Sequence, residues 1–227
     1  ALWESDEVLT DAWGEPSRYA RTLRCLGVNA LKFGYRREWD KSLLTSSIRT
    51  EHTEISRRRF SETPEGQTEP ISRFFRLAAN GVSNTLRAGT DSARGAFTSP
   101  RPIHYQLPRC ITVREMARLH GFPDWFRFHE TKWHGARQVG NAVPPPLAYS
   151  VASMIITSLG VKPIPPTATL ALGDSALLRM NVTQAAEFLG VPTTSRRRDR
   201  KSGAVKRSQA VIEAERWASE ALWAKPV

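Results

Sequence analysis

Apolar positions recur at helical spacing most clearly after residue 141. Leu147, Val151, Met154, Ile155 and Leu159 follow one another at three- to four-residue steps, which predicts a buried helix over 141–160. Pro144, Pro145 and Pro146 suit its first turn, and Gly160 can close it. A second helix starts at Thr112-Val113-Arg114-Glu115. Here a Thr followed three residues later by Glu forms the reciprocal capping box that satisfies two free amides. Met116, Ala117, Leu119 and His120 make its apolar side, leaving Arg114 and Arg118 on the opposite face. Gly121 supplies a positive φ and Pro123 cannot continue the helix. Asp124–Phe128 then sets aromatics beside basic groups, and Gln138–Val143 reads as a tight turn running into the prolines.

The rest of the pattern is weaker. In 1–50, Leu2, Trp3, Val8, Leu9, Trp13, Tyr19 and Leu23 suggest one or two short buried helices broken by Gly14 and Pro16. Leu31–Tyr35 reads as a short strand. Residues 51–100 are polar and turn-rich, with Ile71–Leu77 as a half-buried strand. Thr85–Arg87 reads as another strand, Gly89–Gly95 as a small-residue loop with Arg94 at its tip, and Phe97–Ile103 as the return. Such a segment is an ordinary glycine-containing hairpin, or one whose Thr, Ser and Arg donors meet phosphate oxygens and base edges. Residues 161–173 carry Pro163, Pro165 and Pro166 and read as a stiff linker. Val182–Val191 is a short helix ending at Gly190; the basic Ser195–Lys201 follows, and Ser208–Ala224 is a last helix bearing Trp217 and Trp223.

Charge narrows the partners. The 227 residues carry a formal net charge of +11, which favours a polyanion, nucleic acid first. Arg57, Arg58 and Arg59 are either a solvated face or phosphate ligands, and the tail after Gly190 suits nonspecific phosphate contact. Its Ala-Ala-x-x-Leu-Gly-Val run is only faintly similar to a helix-turn-helix. Two cysteines, Cys25 and Cys110, are too few for a disulfide framework and suggest a reducing compartment. With no apolar run of membrane-spanning length and no leader pattern, a soluble intracellular protein is expected, with no membrane partner. His120, His129, His134 and Cys110 share a segment without zinc spacing, so no metal is expected.

Taken together, TVRE-x-ARL-x-GFPD followed by RQ-x-GNAVPP resembles the two C-terminal conserved blocks of cytosine-5 DNA methyltransferases. The resemblance runs from about His52 to about Leu159. It implies an α+β chain. An irregular small target-recognition domain of short strands and loops occupies 51–140 after a connector over 1–50. Helices after it complete a Rossmann-like methyltransferase domain that is mostly absent: 141–160 returns to that domain, and 161–227 is linker and basic helical tail. By the same resemblance, Thr85, Leu86, Arg87, Gly89, Arg94 and Gly95 face double-stranded DNA, bacterial and nucleoid-associated. Asn141 and Ala142 contact S-adenosyl-L-methionine. Thr112, Arg114, Glu115, Pro123 and Asp124 organise the recognition domain.

Methylating carbon 5 of cytosine needs a thiolate nucleophile at carbon 6, which this family carries in a Pro-Cys-Gln turn. Cys25 stands in Leu-Arg-Cys-Leu-Gly and Cys110 in Pro-Arg-Cys-Ile-Thr, so neither fits. No catalytic residue is assigned. The chain is expected to be inactive alone and to act with an N-terminal catalytic part, in cis or as a separate subunit. The alternative is a noncatalytic DNA-binding protein derived from a methyltransferase. A ribosomal or RNA-binding protein lacks an aromatic stacking motif here.

Overall fold

The computed structural model describes residues 6–10, 14–26, 36–89, 101–164 and 166–192, with isolated helical positions at 211, 214 and 218. Leu2, Trp3, Trp13, Leu31–Tyr35, Arg94, Gly95, Phe97, Ser195–Lys201, Trp217 and Trp223 lie outside the described residues. The elements in order are β1 (Val8–Leu9), α1 (Arg18–Leu23), β2 (Arg36–Glu38), β3 (Leu43–Leu44), α2 (Glu54–Glu62), α3 (Val113–Leu119), α4 (Lys132–Asn141), α5 (Pro145–Ser158), β4 (Thr169–Ala171), a 3-10 turn (Ser175–Leu178) and α6 (Val182–Phe188). Helices and short strands are mixed, in keeping with an α+β class.

Local chemistry explains the helix starts. The Ser17 and Thr53 side chains accept from the amides of Ala20 and Ser56, capping α1 and α2. At α3 both halves of the capping box form: Thr112 Oγ1 accepts from Glu115 N at 3.1 Å, and Glu115 Oε2 accepts from Thr112 N at 2.7 Å. Helix α5 has no side-chain cap and opens with Pro145 in its first turn. Gly121, at φ +80°, turns the chain out of α3.

The main core gathers Leu77, Leu86, Ile111, Val113, Met116, Ala117, Phe122, Phe128, Ala136 and Val139, so α3 and α4 pack on one another beneath the aromatic loop. Gly135 allows that approach. A β-carbon there would lie 2.8 Å from the His129 carbonyl and 3.0 Å from Val113 Cγ1. A satellite of Phe60, Ile103 and Cys110 packs with Phe74.

Several expectations are corrected. Glu54–Glu62 is a helix rather than turn-rich chain, supported by Glu54–Arg57 and Arg58–Glu62 ion pairs one turn apart. Ile71–Leu77 is not a strand; it contributes isolated bridges, Phe75 to Thr68 and Arg76 to Ile103. Thr85–Arg87 carries no regular secondary structure and pairs with no described strand. Among the described residues of the first fifty only α1 is helical, while Val8 and Leu9 pair antiparallel with Leu44 and Leu43. Residues 169–171, read as linker, pair in parallel with 36–38, so the tail is stitched to the body. Gln138–Asn141 ends α4 instead of forming a turn. Helix α5, read as core, buries none of its residues. Leu119, placed on the apolar side of α3, is exposed. No helix among the described residues is long and apolar enough to cross a membrane.

Candidate functional site

Arg114 is the centre of the motif region, and its position reverses the sequence reading. It is 1 % exposed rather than solvent-facing. Its Nε donates to Thr45 O at 3.0 Å, and its Nη2 donates to Thr45 Oγ1 at 2.9 Å and to Phe126 O at 2.8 Å. Asp124, also buried, lies 3.8 Å away and takes two closer bonds from Arg118, at 3.0 and 2.6 Å. Burial lowers the Arg114 guanidinium to about 10, which leaves it charged at neutral pH. One planar fork thus ties residue 45 to the loop after α3, a task that suits arginine over lysine. The α3 backbone adds to the tie, since Arg114 N donates to Ser46 O.

Glu115 has a second task beyond capping. Arg109 donates to both its oxygens at 2.8 Å. Burial raises the Glu115 carboxyl, but Arg109 and the Thr112 amide outweigh that and hold it below its ordinary value. Pro123 is fully buried, its carbonyl turned toward Arg114 Nη1 at 3.5 Å. Thr112 and Glu115 thus meet at Arg109, while Arg114, Pro123 and Asp124 meet at the loop after α3.

Of the described residues read as DNA-facing, the Arg87 end meets the donor-facing end of α4 at one seam. Thr85 and Arg87 are exposed, Leu86 between them is buried in the main core, and Gly89 ends the segment at φ +70°. The Arg87–Ala88 peptide lies directly on Gly140 of α4. Next to it Asn141 is exposed, and Ala142 packs against the same core. The His120 Nε2–H donates to Ala142 O at 3.0 Å, fixing the end of α4 to the end of α3. The sequence reading placed His120 on the apolar side of α3 and Gly140 within GNAVPP, and did not single out Thr45, which nothing local marked.

Other candidates fall away. Arg57 and Arg58 are engaged by Glu54 and Glu62, and Arg59 lies 3.9 Å from the buried Glu69, so this run is not a bare phosphate cradle. His129 and His134 lie with ring centroids 4.7 Å apart, and His129 Nδ1 accepts from Thr131 N. Among the described residues no three His, Cys, Asp or Glu side chains group to hold a metal. A cleft of about 460 Å³ is lined by Asp6, Glu7, Ile48, Glu130, Thr131 and Arg179. Three carboxylates against one guanidinium give it the wrong sign for phosphate, and it shares no residue with the seam. Both thiols are held protonated: burial pushes Cys110 up to about 12 and also raises Cys25. The exposed Asn141 amide beside the small Ala142 fits one edge of a nucleoside-containing donor.

Residues 18–157 match the family described as C-5 cytosine-specific DNA methylase. The Type II methyltransferase M.XorII of Xanthomonas oryzae pv. oryzae is 56 % identical over 193 residues, covering 85 % of this chain and 45 % of that protein. DNA (cytosine-5)-methyltransferase 2 of Arabidopsis thaliana is 43 % identical over 74 residues, 30 % of this chain and 5 % of that one. A solved structure, titled as a prophage-encoded DNA modification methyltransferase of E. coli, superposes with a TM-score of 0.51 at 32 % identity. It covers 70 % of this chain and 43 % of the other. The chain thus spans less than half the length of M.XorII and of that structure.

Proposed function

The chain belongs to the C-5 cytosine-specific DNA methylase family, and from that premise we propose that it is the target-recognition portion of a cytosine-5 DNA methyltransferase. On this reading it engages duplex DNA through Thr85, Arg87, Gly89 and the Arg94–Gly95 loop, with Leu86 as the anchor. Asn141 and Ala142 form one edge of the S-adenosyl-L-methionine site, the donor that supplies the methyl electrophile when bound. Residues 51–140 act as the recognition domain, 1–50 as a connector and 161–227 as a tail.

The observation that carries this reading is α5. Its 14 residues bury nothing, while Leu147, Val151, Met154, Ile155 and Leu159 stand 51–70 % exposed. At roughly 2 kcal/mol per aliphatic side chain, covering these five is worth on the order of 10 kcal/mol of gross apolar burial. A helix patterned for a core but left bare fits a chain that completes itself against a catalytic part, in cis or as a separate subunit. The thiol chemistry agrees. Attack on cytosine carbon 6 needs a thiolate, and both described thiols are pushed the other way. The catalytic part would supply the nucleophile and most of the donor site, and would flip the target base out of the duplex.

The test is duplex binding by this chain across a salt series, followed by fluorescence anisotropy. Arg87→Ala should reduce the slope of log affinity against log salt by about 0.9, one phosphate contact. The Arg57→Ala/Arg58→Ala pair should leave it nearly unchanged, because Glu54 and Glu62 already neutralise those groups. Equal losses from both, or no duplex binding at all, would remove the DNA assignment.

A further inference from the structure

We infer that Gly140 is a positioning residue that sets the DNA-facing segment by the placement of the donor-side end of α4. The inference rests on the proposed roles of Thr85, Arg87 and Asn141. A β-carbon at Gly140 would lie 2.6 Å from the Arg87 carbonyl carbon and 2.7 Å from both Arg87 O and Ala88 N. Real β-carbons do not approach that closely. The obstruction is backbone, so no side-chain rotation relieves it.

The glycine has no conformational reason to be there. Gly140 is helical, and its φ is not among the positive values. A helix-interior glycine is less favourable than alanine, so the residue is explained by close approach of another strand of chain. Next to that peptide, Leu86 shares the core with Val139, the residue before Gly140. Beyond it, Gly89 stands at φ +70°. On the other flank, Ala142 is tied to His120. Between these ties the Arg87–Ala88 peptide and the last turn of α4 move as one body. A shift of Asn141 on donor binding therefore reaches Arg87, and DNA engagement at Arg87 reaches Asn141, as reciprocal coupling requires.

The test compares Gly140→Ala, Arg87→Ala, their double variant and Ala136→Gly, a control within the same helix, in the full chain. Amide hydrogen exchange should speed up at 83–89 in Gly140→Ala by about tenfold or more, and not selectively there in the control. In duplex-binding titrations, Gly140→Ala should lose the same salt slope as Arg87→Ala, about 0.9, with no further loss in the double variant. Multiplicative losses in the double variant, or wild-type exchange and affinity in Gly140→Ala, would overturn the inference. Leu86→Ala loosens the same segment from the core without adding a β-carbon at Gly140. Should Gly140→Ala fold poorly, an unchanged salt slope in Leu86→Ala overturns the inference. If the wild-type chain binds no duplex, the DNA reading fails by itself, and the exchange data alone decide whether Gly140 places the segment.

Discussion

Replacing Arg114 by methionine should be among the most damaging single changes in the chain. The side chain is 1 % exposed. Its loss strands the Thr45 and Phe126 carbonyls, which it reaches at 3.0 and 2.8 Å. Each stranded acceptor costs about 1–3 kcal/mol. Asp124 keeps Arg118 at 2.6 Å, which limits the damage on that side. Removing one partner of a buried ion pair typically costs about 3–5 kcal/mol, a figure that already includes the groups left stranded and sets the scale here. The net expectation is about 3–5 kcal/mol. At about 2–4 °C per kcal/mol for a chain of this size, Tm should fall by roughly 6–20 °C. Arg114→Lys keeps the charge but loses the fork, and should cost about 1–3 kcal/mol. Urea unfolding followed by tryptophan fluorescence reads these differences, with Glu62→Gln at the exposed Arg58 pair as a reference worth at most about 1 kcal/mol. An Arg114→Met variant within about 1 kcal/mol of wild type would refute the claim that this fork holds residue 45 to the aromatic loop.

Three further outcomes follow from the geometry. The Glu115 carboxyl is held below its ordinary value of 4.5, so its contribution is complete above that pH and is lost as pH falls through the folded value. Thermal melts between pH 3 and 6 should therefore show a shallower acid loss in Glu115→Gln than in wild type; parallel curves would contradict this. With Cys110 raised to about 12, only about one thiol in ten thousand is ionised at pH 8. An aromatic disulfide reagent should label it only at the rate of unfolding, and labelling at a free-thiol rate would contradict its burial. Met154→Ser and Ile155→Ser together should change the chain's stability by no more than about 0.5 kcal/mol each, because both side chains are already exposed. They should nevertheless reduce self-association in sedimentation experiments, and a large loss of stability would show that α5 is covered within the chain.

What could be read from the sequence followed the range of the interactions. The α3 capping box and the glycine closures at 121, 160 and 190 depend on neighbours within one turn, and all appear where expected. Arg114 did not, because periodicity sends a charge outward and its partner Thr45 is 69 residues away. Helix α2 was hidden for the opposite reason. Of its nine residues only Ser56 and Phe60 are buried, so it has almost no apolar stripe and relies on caps and ion pairs. Strand β4 escaped because three residues of parallel pairing carry too little pattern to be seen without their partner. For α5, periodicity identified the apolar face but could not say what covers it. The Gly140 seam needs two segments in contact, and the sequence showed only one of them as glycine.

The most direct measurement is tritiated methyl transfer from S-adenosyl-L-methionine to mixed-sequence duplex DNA. It should be run with this chain alone and with the chain co-expressed with the part of M.XorII that the similarity does not cover. Counts should appear in DNA only from the mixture, and should be lost when Met154 and Ile155 are replaced by serine. Methyl transfer by the chain alone would contradict this expectation, because it would require a thiolate from Cys25 or Cys110, where burial opposes one.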